Sequence, residues 1–227
     1  MENIHSKLHI ALIMDGNGRW ASKNELSRSK GHHAGALNML KLLENLPNSV
    51  STITAYAFST ENWSRSIKEI YWLFRISQEF FDQHTQTLIN LGFKVHFIGD
   101  LTLIPGFIRN VMHKVEIVTQ HGQRGVLNLA VSYGSKQEIV QAASALYTKG
   151  EILNLQTFNK QLSVGGAKDP DILIRTGGEK RLSNYLLWQL AYTELFFIDT
   201  LWPDFTHHHL SDIIAEYIGR NRKFGFV

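Results

Sequence analysis

The chain has 227 residues, 44% hydrophobic and 19% charged, a balance that excludes disordered, collagen-like and fibrous classes and leaves material for one sizeable core. Lys and Arg number 23 against 20 Asp and Glu, so the formal charge is +3, too weak a bias to imply nucleic acid, while anionic small molecules stay open. There is no cysteine, which excludes disulfides, thiolate metal sites and cysteine nucleophiles.

Leu8 to Met14 is a short apolar run stopped by Asp15-Gly16-Asn17-Gly18, the pattern of a buried strand running into a glycine loop, with a helix expected after it. This run is too short for a secretory leader, and no apolar stretch approaches eighteen residues. Neither export nor a membrane span is expected, and the cytoplasm is the default compartment. Gly35 to Leu46 has helical apolar spacing ended by Pro47, and TITAYAF reads as a second strand. Ile67 to Leu91 is a long helical candidate. FKVHFIG is a third strand, Pro105 to Gln120 a helix, VLNLAVSY a fourth strand and Lys136 to Tyr147 a further helix. After a polar connection come the strand DILIRTGG and a last one, ELFF. Thr206 reads as an N-cap, so His207-His208-His209 is expected to start a solvated helix rather than bind metal. Strands alternating with helices predict an α/β fold with a mostly parallel six-stranded sheet flanked by helices. No linker divides the chain, so residues 1–227 are expected to form a single domain.

The long helical candidate is anomalous. Ile67, Ile70, Tyr71, Phe74 and Phe81 mark one side, while Trp72, Leu73, Ile76 and Phe80 widen the apolar surface well past a single stripe. Its second face must meet another subunit, a deeper core or a cavity for a hydrocarbon.

Residues 16–21 contain G-x-G-x-x-A, a loose match to the dinucleotide fingerprint, but positions 36–41 read ALNMLK where an acidic residue is wanted. Asp15 ahead of the first glycine would repel a bare pyrophosphate unless a cation lay between, which points to magnesium. Gly16 and Gly18 let backbone amides converge on an anion, and Arg19 adds a charged fork, although a tight turn with a salt-bridged arginine reads the same residues. Arg28 and Gly31-His32 reach the same anion if the loop folds back, and otherwise read as ordinary surface. Ser59-Thr60-Glu61-Asn62-Trp63-Ser64-Arg65 follows a strand directly, at the end where parallel sheets place their ligands. Arg175 to Asn184 again runs from a strand into glycines, with Arg175, Arg181 and Ser183 suited to a second phosphate group or forming a plain basic loop, and Glu194 is either a hard-cation ligand or a solvated surface carboxylate.

HIALIMDGNGRWA, GHHAGA, AYAFSTENWSR, FIGD, NLAVSYGS, DPDILIRTGGEKRLSNYLLWQLAYTELFFIDTLWPDF and RNRKFG, in order from about His9 to Gly225, resemble the cis-prenyltransferase family, its bacterial undecaprenyl diphosphate synthase type above all. No adjacent Asp pair occurs, so the DDxxD motif of all-trans synthases is missing. The resemblance implies magnesium-dependent addition of isopentenyl diphosphate units to an allylic diphosphate such as farnesyl diphosphate, with cis double bonds. The implied product is a polyprenyl diphosphate such as undecaprenyl diphosphate, the lipid carrier precursor for cell-wall synthesis.

By motif position it assigns the allylic diphosphate to Gly16, Asn17, Gly18, Arg19, Arg28, His32 and Arg65, and isopentenyl diphosphate to Arg175, Arg181 and Ser183. Mg²⁺ falls to Asp15 and Glu194. Ser59, Asn62 and Trp63 would lie beside the reacting carbons, with Trp20 and Glu61 completing the substrate-binding set. Asn17 and Asn62 are candidates for helping proton removal, with a diphosphate oxygen as the other candidate base. An apolar tunnel between sheet and long helices, a homodimer and a peripheral membrane contact for product release are implied as well. Ser66 stands where the family commonly has proline, which predicts a looser start to the long helix. His84 replaces a frequent glutamate, and the basic tail Arg220-Asn221-Arg222-Lys223 is either a plain surface or reaches a partner subunit.

Overall fold

The computed structural model describes residues 7–164 and 168–220; the tail from Asn221 onward lies outside them. Six strands, β1 (Leu8–Ile13), β2 (Val50–Ser59), β3 (Phe93–Ile98), β4 (Gly125–Tyr133), β5 (Ile172–Arg175) and β6 (Glu194–Phe197), form one sheet in the order β3-β4-β2-β1-β5-β6. Every described pairing is parallel. The helices are α1 (Asn17–Lys23), α2 (Arg28–Glu44), α3 (Ile67–Asn90), α4 (Gly106–Thr119), α5 (Ser135–Lys149), α6 (Leu155–Gln161) and α7 (His207–Gly219).

Both faces of the sheet are covered, as a parallel sheet requires. Along β1, Leu8, Ile10 and Leu12 enter the larger core with α2, α3, α4 and α7, while Ala11 and Ile13 enter a second core with Leu173, Tyr185 and Leu186. Because the strands are parallel, the chain leaves β1, β2, β4 and β5 at the same edge. From β1 the chain proceeds to β2 on one side, and β5 lies on the other, so the topological switch point falls between the ends of β1 and β5.

The structure departs from the sequence expectations in four places. The helix expected from Gly35 begins at Arg28, because its first turns, Arg28 to His33, are polar and carry no apolar period. The connection before β5 contains α6, held by an Asn154 capping box. On α3 the side that meets the core is Ile70, Phe74, Phe81 and Leu88, whereas Ile67 is 87% exposed and Tyr71 and Trp72 about half exposed. A rotation of 100° per residue carries Tyr71 off the Ile70 face. Finally, Ser66 secures the start of α3 instead of loosening it, since its hydroxyl accepts from the Glu69 N–H at 3.3 Å.

At the sheet's amino end, Arg124 ties three elements together. Its guanidinium donates to the Val50 and Leu46 carbonyls, both at 2.8 Å, and to Pro47 at 2.9 Å, joining the start of β4 to the turn between α2 and β2. Charged hydrogen bonds of this kind are worth about 1.5–3 kcal/mol each when partly buried, with strong overlap among them. Arg124→Ala is expected to lower the thermal midpoint by about 5 °C, an effect of roughly 2 kcal/mol in a chain of this size. Thermal unfolding followed by circular dichroism checks this, and Arg124→Lys should recover only part of the loss because an ammonium lacks the fork.

Candidate active site

The glycine loop after β1 and the loop after β5 meet across the switch point. Asp15 accepts from Arg175 at 2.9 Å through Oδ2 and from Arg19 at 3.1 Å through Oδ1. Arg19 also donates to the Gly177 carbonyl at 2.6 Å. Gly177 is required there: its φ is +83°, and a Cβ would stand 2.5 Å from the Arg19 guanidinium. The Asp15 carbonyl accepts from Thr176 Oγ1 at 2.7 Å and from the Trp202 N–H at 3.0 Å. α1 starts at Asn17, so the first amides after Gly16 have no helical acceptor.

Arg175 is only 4% exposed. One of its terminal nitrogens serves Asp15; the other donates to the Arg181 carbonyl at 2.6 Å and to Ser183 Oγ at 2.8 Å. It shapes the second anion loop from below, and Arg181, paired with Glu179, is exposed on that loop beside Lys180. Tyr56 donates to the Ser183 carbonyl at 3.3 Å and the Tyr133 carbonyl at 3.1 Å, and burial pushes its hydroxyl well above the ordinary phenol range, keeping it a neutral donor.

The third corner is built by α2 and α3. Arg28 and Arg65 converge on Glu69, at 3.5 and 3.1 Å, so the guanidinium groups expected from sequence are held by a carboxylate that sequence reading missed. Its signal was the four-residue spacing from Arg65 to Glu69. His32 lies in the first turns of α2 rather than on a folded-back loop. Burial, with Arg28 and Arg65 adding to it, holds its pKa down at about 4, and its Nε2 is buried without a partner. Gly31 and Gly35 let α2 approach α1: a Cβ on Gly35 would be 2.3 Å from Asn17 Oδ1. That oxygen too is buried and unpartnered.

In the turn after β2, Asn62 Oδ1 accepts from the Ser59 N–H at 3.1 Å, closing a capping box. Trp63 donates to Ser132 Oγ at 3.0 Å and packs against Phe58 and Phe74, while Glu61 accepts from Asn184 at 3.0 Å. Trp20 instead turns its indole N–H to Asp204 at 2.7 Å.

Below this polar rim lies an apolar cavity of about 160 Å³ between the sheet and α2, α3 and α4. Asn17 and His32 are polar groups in its lining, Leu73, Ile76 and Phe80 contribute the α3 wall, and Leu127 and Met112 line it from β4 and α4. The second apolar face of α3 therefore meets a cavity. A cavity on the order of 150 Å³ takes a benzene-sized group, so this one admits an isoprene-sized group at rest.

The expected metal pair is not assembled within one chain. Glu194 opens β6 and pairs in register with Ile172, three positions before Arg175, which places it roughly 10 Å down the sheet toward the opposite edge from Asp15. Its carboxylate is engaged by Arg220 at 2.5 Å. Among the described residues no cluster of three His, Asp or Glu groups could hold a metal ion. Asp15 alone still fits Mg²⁺, which is commonly held by one or two carboxylates together with substrate phosphate oxygens and water.

Over residues 13–225 the chain matches the protein family described as "Putative undecaprenyl diphosphate synthase". An isoprenyl transferase of Prochlorococcus marinus subsp. pastoris is 42% identical over 96% of this chain and 84% of the relative. The crystal structure of lavandulyl diphosphate synthase from Lavandula x intermedia, in complex with dimethylallyl diphosphate, superposes with a TM-score of 0.91 at 32% identity, covering 97% of this chain and 98% of that one. A "probable undecaprenyl diphosphate synthase" from Campylobacter jejuni superposes at 0.84 with 33% identity, covering 99% and 100%.

The His32 environment sets a pH dependence. An unfolded chain takes up a proton on this imidazole below pH 6.5, while the folded chain does so only near pH 4. Stability is therefore lost as pH falls through that window, by up to about 3 kcal/mol. His9 is shifted down as well, chiefly by burial, and adds to the loss. Denaturant titrations from pH 7 to 4.5 should show a smaller fall in midpoint for His32→Asn than for the wild type.

Proposed function

The chain belongs to the undecaprenyl diphosphate synthase family of isoprenyl transferases, and on that premise we propose that it is a magnesium-dependent cis-prenyltransferase. It condenses isopentenyl diphosphate onto an allylic diphosphate, farnesyl diphosphate first, to make a long-chain product such as undecaprenyl diphosphate. The observation that carries this reading is the pair of anion loops joined by Asp15 and Arg175 at the switch point, opening onto an apolar cavity.

The allylic diphosphate sits among Arg19, Arg28, Arg65 and the amides of Gly16 to Gly18, with its hydrocarbon in the cavity. Isopentenyl diphosphate lies against Arg181 and Ser183. The allylic C–O bond breaks as the new C–C bond forms, so groups that bind the departing diphosphate more tightly than the ester speed the step. Five guanidinium groups against the carboxylates of Asp15, Glu61, Glu69 and Glu179 leave one net positive charge. Two diphosphates bring roughly six negative charges. That shortfall supports a divalent cation, which when bound at Asp15 would supply charge neutralisation for the leaving group. Asn62 Oδ1 is committed to its own turn, whereas Asn17 Oδ1 is buried and unpartnered in a residue that lines the cavity, so Asn17 is the better placed to help pass the lost proton to a diphosphate oxygen.

Exposed Leu195 on the edge strand β6 and exposed Ile218 on α7 support a homodimer, and exposed Ile67, Tyr71 and Trp72 on α3 support a peripheral membrane contact during product release by an otherwise cytoplasmic protein. No described helix is long and apolar enough to cross a membrane. The small resting cavity favours a second reading, a synthase of shorter prenyl chains.

Purified protein incubated with farnesyl diphosphate, labelled isopentenyl diphosphate and Mg²⁺, followed by chromatography of the dephosphorylated products, tests both activity and length; absence of any product refutes the proposal. In the same assay Asp15→Asn, which leaves Arg175 an acceptor, should lower kcat by at least about 10²-fold with an unchanged circular dichroism spectrum. Ser77→Phe, on the cavity wall, should shorten the main product by several isoprene units while sparing the first condensation.

A further inference from the structure

Of the five described non-glycine residues with left-handed backbone, three fall within four positions: Ser183 (φ 50°), Asn184 (φ 60°) and Leu186 (φ 43°). Such a run persists only where its surroundings over-determine it. Asn184 makes most of the contacts that do so. Its carbonyl accepts from the Ser135 N–H at 2.8 Å, and its Oδ1 accepts from the Lys136 N–H at 2.9 Å, so it covers the first turn of α5. Its Nδ2 donates to Glu61 Oε1 at 3.0 Å and to Gln137 Oε1 at 3.1 Å.

The polarity is dictated by the partners. A backbone N–H can only donate and a carboxylate can only accept, so an amide satisfies both sides where neither Asp nor a hydrophobe would. Asparagine is also the side-chain-bearing residue that tolerates left-handed φ at least cost. Gly134 leaves the room for it, since a Cβ there would lie 2.8 Å from Asn184 Nδ2 and 2.6 Å from Thr60 Oγ1. One side chain thus joins the loop after β5, the start of α5 and the turn after β2. Its neighbour Ser183 is fixed through Oγ by Arg175 and through its carbonyl by Tyr56.

We propose that Asn184 is a positioning residue: it sets the strained shape of the loop that presents Ser183 and Arg181 to isopentenyl diphosphate, and it holds that loop in register with the Glu61–Arg65 turn on the allylic side. The proposal rests on the function argued above. It concerns how the two substrates are aligned rather than which groups bind them.

Asn184→Gly keeps the backbone conformation and removes the latch. It is expected to raise the KM for isopentenyl diphosphate about tenfold, the scale of losing hydrogen bonds to a charged group, with the KM for farnesyl diphosphate within about twofold and the thermal midpoint within a few degrees of wild type. Asn184→Asp keeps the acceptor for Lys136 and sets a carboxylate against Glu61, so it should also raise that KM. In a Glu61→Gln background the hydrogen bond can re-form with reversed polarity, and the effect of Asn184→Asp should shrink in the double-mutant cycle. An isopentenyl KM unchanged in Asn184→Gly, equal increases in both substrates' KM, or strictly additive effects of Asn184→Asp and Glu61→Gln would overturn the proposal. Wild-type protein inactive with both substrates would instead refute the function itself, so the two failures are distinguishable.

Discussion

The ion pair between Asp15 and Arg175 is the contact on which the arrangement at the carboxyl end of the sheet depends. The two residues stand at the ends of neighbouring strands, 160 positions apart in the chain, and they meet at the switch point. Arg175 is buried and Asp15 is partly open, so the pair has a desolvated side that organises protein and a wet side that can meet a ligand. A buried cation left without its partner costs about 3–5 kcal/mol. Arg175 therefore needs Asp15, and through Arg181 and Ser183 it carries the geometry of the first loop into the second. Arg19, donating to both Asp15 and Gly177, closes the same circuit from the other side.

The second constraint is the border between this polar corner and the cavity beneath it. Glycines 31 and 35 bring α2 against α1 closely enough that the unpartnered oxygen of Asn17 and the neutral imidazole of His32 both stand at that border. A hydrocarbon entering the cavity gains about 0.8 kcal/mol for each buried methylene, enough to hold an apolar tail beside the polar corner. The cavity at rest is smaller than a long polyprenyl chain. Anything longer than an isoprene-sized group requires its walls to part, and α3, whose outer side carries exposed Ile67, Tyr71 and Trp72, is one of those walls.

The opposite end of the sheet is devoted to holding it together. His9 donates through Nδ1 to the Lys168 carbonyl at 2.7 Å and accepts at Nε2 from Thr54, which in turn accepts from Asn128 at 3.0 Å. This row ties β1, β2 and β4 on one face, and Asp171 extends it toward β5 by accepting from the His9 N–H at 2.9 Å. Glu194 belongs to this end as well, with Arg220 both paired to it and stacked on Phe196. Parallel strands put every strand start at one edge and every strand end at the other, so Glu194 and Arg175, near in sequence, are held toward opposite edges of the sheet.

Residues of the chain by themselves determined the α/β alternation, the glycine loops at strand ends and the identity of nearly every charged group around the anion corner, because apolar period and local turn chemistry act over a few residues. Glu69, Tyr56 and Asn184 were not legible, since each matters through partners on other elements. The same is true of the first turns of α2, whose polar surface faces a site instead of a core, and of α3, whose breadth of apolar surface showed that two faces were used without showing which. Only the tertiary structure decided that Arg175 is buried among Asp15, Arg181 and Ser183 and that Glu194 stands away from Asp15. Burial and strand register are properties of the assembled sheet, and a side chain's charge does not reveal at which end of a strand, or on which side of water, that charge will come to rest.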